Sequence, residues 1–269
     1  MHAFTCIKTE REGHILHLTL DRPQVRNAMS LTMVNELKTL FSELQGDLSV
    51  RALVIRGEGG HFCAGGDIKD MAGARAVAGK GEDAFFALNK SFGEVIAQLN
   101  ALPQVVIVVL EGAVLGGGFG LACVSDVAIA GSTAQFAMPE TTLGIPPAQI
   151  APFVVKRIGL TQARRLALLG SRINGEEALR LGLVHFYAAD ENAIARILGE
   201  TLDQVKKCAP RANAVTKQLM LSAADNRAES LIEVAAQAFS DCVQGPEGQE
   251  GTLAFVQKRA PAWAAAEQE

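Results

Sequence analysis

"QVVIVVLEGAVLGGGFGLACVSD", residues 104–126, is the stretch on which the reading of this 269-residue chain turns. The strand expected at 105–111 is apolar up to Leu110 and rich in β-branched residues, as befits a strand buried on both faces. Glycines then occupy 116, 117, 118 and 120, and a short helix is predicted up to Cys123. The first turn of a helix leaves its amides without intrahelical partners, and glycine lets a ligand approach that backbone. Such a turn can hold a phosphate, accept an anion formed during catalysis, or simply let two elements pack closely.

The spacing excludes the nucleotide loops. A dinucleotide fingerprint needs GxGxxG, but Leu121 or Cys123 stands at the third glycine, depending on which pair is counted. "GKGED" at 79–83 has glycine where a P-loop needs Ser or Thr. The anion site and the packing reading both remain.

Working outward, "HILHLTL" at 14–20 alternates like a strand. Ser30 is a candidate N-cap for a helix through Val34, Leu37, Phe41 and Leu44, closed by Gly46. "RALVIRG" at 51–57 reads as a buried strand leading into "GEGGHFCAGGD". Phe85, Leu88, Phe92, Val95 and Leu99 mark another helix, and short strands are predicted at 127–130 and 134–137. After Pro152 helical windows dominate, at 161–169, 175–181, 191–207, 211–223, 228–243 and 249–258. An α/β region over 1–200 followed by a helical region over 201–269 is the expected organisation.

Composition narrows the class. With 49% hydrophobic and 20% charged residues the chain can build a proper core. A net charge of −4 and a pI near 5.8 argue against a nucleic-acid surface. The apolar run "VVIVVL" is too short to span a bilayer, and "MHAFTCIKTEREGH" has no basic-then-apolar leader. Five cysteines without a CxxC pair predict reduced thiols, and hence a cytoplasmic protein. The histidines at 2, 14, 17, 61 and 185 form no HxxxH or HExxH set, so no metal is expected.

Two further features bear on chemistry. "HFCAGGDIKDM" at 61–71 is a second small-residue loop between a strand and a helix start. Two such loops on one cleft could hold a carbonyl oxygen as it becomes an oxyanion. In "AQFAMPETTLGIPP", 134–147, Glu140 stands in an apolar setting, either as a satisfied structural group or as a general acid/base tuned by burial.

Together "LTLDRPQVRNAMS", "FCAGGDIKDM", "LEGAVLGGGFGLACVSDVAIA", "AQFAMPETTLGI" and "EGTLAFVQKRAPAW" resemble the crotonase, or enoyl-CoA hydratase/isomerase, superfamily over nearly the whole chain. The resemblance implies a spiral of ββα repeats with a C-terminal helical trimerisation region, and a homotrimer or dimer of trimers. It implies an acyl-CoA thioester substrate, with coenzyme A as part of the substrate and no separate cofactor. It maps the two oxyanion-hole amides onto Ala64 and Gly117, and the coenzyme A site onto Arg26, Ala28, the stretch Ala64, Gly65, Gly66, Asp67 and Ile68, and Lys258.

One departure matters. Typical hydratases carry a glutamate in the helix after the glycines and another in the "PE" motif; here the second is Glu140, but Gly120 stands at the first. A glycine inside a helix is about 1 kcal/mol worse than alanine, so Gly120 suggests either room for substrate or water, or tight packing. The resemblance then admits a hydratase in which Glu140 alone handles the water, aided by a carboxylate of the substrate. It also admits a single-glutamate isomerase, another thioester activity, or a non-catalytic binding protein. "GIPPAQIAPFVVKRIG" after Glu140 is similar to bacterial methylglutaconyl-CoA hydratases, and within them most to isohexenylglutaconyl-CoA hydratase of acyclic terpene degradation. The favoured expectation is a hydratase of a branched glutaconyl-CoA ester, with Lys156, Arg157 and His61 as candidate partners for the substrate carboxylate.

Overall fold

The structure, a computed structural model, describes residues 4–67, 70 and 84–264. Strands β1 (Ile7–Glu12) and β2 (Ile15–Leu20) form an antiparallel hairpin, and Ser30 caps helix α1 (Leu31–Leu44) by accepting the Met33 amide at 3.2 Å. Then follow β3 (Ala52–Gly57), α2 (Ala84–Asn100), β4 (Val105–Leu110), β5 (Ala113–Leu115), α3 (Gly117–Cys123), β6 (Val127–Gly131) and β7 (Gln135–Ala137). The remainder is α4 (Ala151–Leu169), β8 (Arg172–Asn174), α5 (Gly175–Arg180), β9 (Phe186–Ala188), α6 (Glu191–Lys207), α7 (Pro210–Ala223), α8 (Ile232–Gln244) and α9 (Pro246–Val256).

A six-stranded sheet has the order β1-β2-β3-β4-β6-β9, parallel except for the first pair. Successive residues of a strand point to opposite faces, which explains why β4 is apolar throughout. Val106, Val108 and Leu110 enter the core shared with α1 and α2, whereas Ile107 and Val109 enter the core covered by α6. A second, shorter ladder runs beside this sheet. Its rungs are Met29 with Gly66, Cys63 with Val114, Val114 with Phe136, and Phe136 with Ile173. Each pass of the chain places one strand in the large sheet and one rung in the short ladder, so the chain winds as a spiral of ββα turns, as expected.

Three details differ from the sequence reading. β1 escaped because Ile7 is its one buried residue, leaving no alternation to detect. α4 begins ten residues before the expected 161. Pro152 sits in its first turn, where a missing N–H is harmless, and Gly159 (φ 73°) kinks it, so its first half lacked a clean pattern. The expected boundary after residue 200 falls inside α6, whose Ile194, Ile197 and Val205 pack on the sheet. Buried Arg51 fixes this junction by donating to the carbonyls of Val205, Lys206, Cys208 and Trp263. No helix among the described residues is long and apolar enough to cross a membrane.

Candidate active site

The short ladder brings the two glycine loops together. Cys63 donates to the Ala113 carbonyl at 2.8 Å and accepts from the Leu115 amide at 2.9 Å, so the 61–67 loop lies along β5. On its other side Met29 donates to Gly65 O at 2.8 Å and Asp67 donates to Met29 O at 3.0 Å. Fully buried Asn27 secures the outer turn: its side chain donates to the carbonyls of Glu58 and His61 and accepts the Arg22 amide. Arg22 in turn pairs with Asp67 at 2.8 Å. Arg22 did not stand out in the sequence because Asp67 lies 45 positions away, and the carbonyls that the Asn27 side chain binds lie 31 and 34 positions from it.

Between these loops, α2 and the 145–150 segment lies a cavity of about 500 Å³, lined mainly by apolar side chains. Gly66 and Gly117 both line it, and neither amide has a hydrogen-bond partner among the described residues. Ala64 corrects the sequence reading: its amide already donates to the Arg26 carbonyl at 3.0 Å, and Ala64 does not line the cavity. Consecutive residues of an extended segment point their N–H groups to opposite sides. Gly65, with φ 97° and its amide on Cys63 Sγ at 3.4 Å, breaks that alternation after Ala64, and Gly66, which lines the cavity, carries the amide left without a partner among the described residues.

Glu140 lies on the 3-10 turn Pro139–Leu143 that follows β7. Gly116, with φ 50°, passes so close that a Cβ there would lie 2.6 Å from Glu140 Oε1. The left-handed backbone and the near carboxylate together require glycine. Glu140 Oε2 is buried, has no partner among the described residues, and belongs to a side chain that lines the cavity. Burial pushes the Glu140 carboxyl above its ordinary range, because the charged form loses solvation there. The bonding pattern thus disfavours the reading of Glu140 as a satisfied structural carboxylate.

Gly120 resolves into packing rather than room. A Cβ at Gly120 would stand 2.3 Å from Ile150 Cγ2, and Ile150 is buried over it while lining the cavity. Where typical family members present a glutamate, this chain presents the flank of an isoleucine.

The remaining expected site residues divide. Asp67 lines the cavity but is engaged by Arg22. Gly65 lies beneath it, with φ 97° and the Leu115 carbonyl 3.3 Å from where a Cβ would be. Ala28 offers its carbonyl to Arg22, Arg26 is exposed at a left-handed turn, and Ile68 lies outside the described residues. Lys258 is exposed just past α9 and does not line the cavity. None of the candidate carboxylate partners reaches the cavity either. Lys156 pairs with Asp225, Arg157 donates to the Leu183 and Ser125 carbonyls, and His61 Nδ1 accepts the Ala113 amide.

Known proteins with this sequence pattern and fold are numerous. Pseudomonas aeruginosa AtuE is 59% identical, with 97% of this chain and 100% of that one covered at a TM-score of 0.94. An enoyl-CoA hydratase/isomerase from Marinobacter aquaeolei is 58% identical, over 96% and 99%, at a TM-score of 0.93. A probable enoyl-CoA hydratase of Bacillus subtilis is 30% identical over 91% of this chain and 93% of its own. The family described as enoyl-CoA hydratase/isomerase matches residues 10–266. With the spiral fold and that match over nearly its full length, the chain belongs to the enoyl-CoA hydratase/isomerase family.

Proposed function

We propose that this protein is a hydratase that adds water across the double bond of a branched glutaconyl-CoA thioester, isohexenylglutaconyl-CoA in the first place and methylglutaconyl-CoA in the second. The observation that carries the reading is the buried oxygen of Glu140, without a partner among the described residues, in a largely apolar cavity that two amides without partners among those residues also enter. Glu140 takes a proton from water as the water oxygen bonds to C3. The electron pair of the double bond moves onto the thioester oxygen, where the amides of Gly66 and Gly117 donate to it. The enolate then collapses as C2 takes the proton from Glu140, which leaves the enzyme unchanged and one water added. Each such donor typically contributes on the order of 3 kcal/mol to the transition state. A carboxyl raised towards neutrality suits the exchange, since it must both accept and release the proton.

The glutaconyl preference is supported by the sequence after Glu140 and by the apolar walls at Phe92, Leu88 and Ile145. With Ile150 filling the place of a second glutamate, a carboxylate carried by the substrate is the group available to help orient the water. The C-terminal helices expose Ile232, Phe239, Phe255 and Val256, the last two more than three-quarters exposed, which supports assembly of copies of this chain into a trimer or a dimer of trimers through residues 201–269. Lys258 neighbours that surface, so we assign it to the coenzyme A of an adjoining subunit.

The single carboxylate equally favours a second reading, an isomerase in which Glu140 removes a proton from C2 of a 3-enoyl ester and returns it at C4. Mass spectrometry of wild-type protein and Glu140→Ala, each mixed with isohexenylglutaconyl-CoA, methylglutaconyl-CoA and a linear 3-enoyl-CoA, separates the two. Gain of one water on a glutaconyl ester, lost in Glu140→Ala, supports the hydratase. An unchanged mass with a moved double bond supports the isomerase, and undiminished turnover by Glu140→Ala refutes both.

A further inference from the structure

The cavity wall opposite the glycine loops is held by an unusual pair of seats. Gln149 and Ile150 are consecutive, and each rests on a glycine within a helix. Ile150 covers Gly120 of α3, while the Gln149 side chain lies across Gly93 of α2, where a Cβ would stand 2.2 Å from Gln149 Oε1. Gly93 is in the middle of a 17-residue helix, a position where glycine is unfavourable by about 1 kcal/mol relative to alanine. In this structure the missing side chain makes space for Gln149. So held, Gln149 donates from Nε2 to Asn89 Oδ1 at 2.7 Å, and both amides line the cavity. One N–H serves the bond between the two amides, and the NH2 group of Asn89 is left without a partner among the described residues.

Charge makes this pair conspicuous. Among the described residues that line the cavity there is no lysine, arginine or histidine. Its other carboxylates are engaged, Asp67 by Arg22 and Asp70 by the Leu31 amide. Position adds a length. Phe92 closes on Gly117, since its Cζ lies 2.9 Å from where a Gly117 Cβ would be. Asn89 precedes Phe92 by three residues on α2, about 4.5 Å along the helix axis at ~1.5 Å per residue, on the same face. The distal carboxylate of a glutaconyl group is four carbon–carbon bonds from its thioester carbon, about 5 Å in an extended chain with bonds of ~1.5 Å.

We propose that the Asn89–Gln149 amide pair is the specificity-determining element that recognises the distal carboxylate of the acyl group, an inference that rests on the glutaconyl reading above. The recognition is by neutral N–H donors rather than by a cation, with Gln149 holding Asn89 in orientation and Gly93 holding Gln149. Asn89 is exposed and Gln149 half-buried, so the discrimination comes from hydrogen bonds to a charged acceptor rather than from a buried donor left unpaired.

The test measures kcat/KM of the full-length enzyme for two esters with the same branched skeleton, methylglutaconyl-CoA and 3-methylcrotonyl-CoA, which lacks the carboxylate. The quantity read is the ratio of the two. In Asn89→Leu the ratio falls ten- to hundredfold. In Asn89→Asp, which keeps the acceptor for Gln149 but opposes the substrate's charge, it falls further. A purely structural role would depress both esters together, so a ratio unchanged within twofold in both variants overturns the proposal. If the wild-type protein hydrates 3-methylcrotonyl-CoA but no glutaconyl ester, the substrate reading itself fails and the proposal falls with it.

Discussion

The contact between Gly120 and Ile150 makes a quantitative prediction. A methyl added at position 120 would stand 2.3 Å from Ile150 Cγ2, far inside the 3.5–4.0 Å at which carbon atoms attract. Ile150 is 2% exposed and has no free side to yield towards without disturbing the cavity wall. Overpacking of this kind costs about 1–3 kcal/mol, and the better helix propensity of alanine returns about 1 kcal/mol. Gly120→Ala should therefore lose about 0–2 kcal/mol of stability. Ile150→Ala alone should lose about 2–5 kcal/mol through the cavity it leaves. In the double variant the introduced methyl enters that cavity, the clash disappears and the propensity gain remains. It should be at least as stable as Ile150→Ala, with a favourable coupling of about 1–3 kcal/mol. Urea unfolding of the four proteins at one protein concentration measures this, since association changes apparent stability. Additivity within about 0.5 kcal/mol would refute the steric reading of Gly120. The same geometry predicts that Gly120→Glu alone fails to supply a second acid, whereas Gly120→Glu with Ile150→Ala has space for one.

Two further outcomes are expected. Glu140→Gln should lower kcat by about 10²–10⁴-fold while making the fold more stable than wild type at pH 8. The folded-state pKa of Glu140 is raised, so its stabilising contribution is complete below about 4.5 and is lost as pH rises through the folded value; glutamine escapes that loss, and unfolding curves should converge in acid. Convergence at high pH instead would contradict the burial argument. Gly66→Pro removes one proposed oxyanion donor at a position outside the left-handed region, and kcat should fall by about 10²–10³-fold with the fold retained. A folded Gly66→Pro protein of full activity would remove Gly66 from the mechanism.

How much of this was legible in the sequence follows from the range of each interaction. β4 and the first-turn glycines of α3 were readable because a strand buried on both faces shows itself within six consecutive residues. Ser30 was readable as a cap because its partner is three residues away. Ala64 was preferred to Gly66 because the choice depends on which amide faces Arg26, a matter of ladder register that no local pattern records. Gly120 was ambiguous for the same reason: its neighbour Ile150 is thirty positions further on. The long-range arginines were invisible on similar grounds. Arg22 and Arg51 look like ordinary surface charges until the spiral brings Asp67 to one and four carbonyls to the other.

The short ladder has a consequence for how such a site can change. Met29, Gly66, Gly117 and Glu140 come from four successive windings, and the rungs 29–66, 63–114 and 114–136 set them beside one another through main-chain bonds. The alignment of acid and amides thus behaves like a vernier, set by the counting of backbone positions rather than by the side chains that happen to stand there. Loops away from the rungs can lengthen, and side chains such as Ile150 or Asn89 can be exchanged, without moving the scale. Slipping one rung by a single residue would turn an amide from the cavity to its back and silence the site in one step.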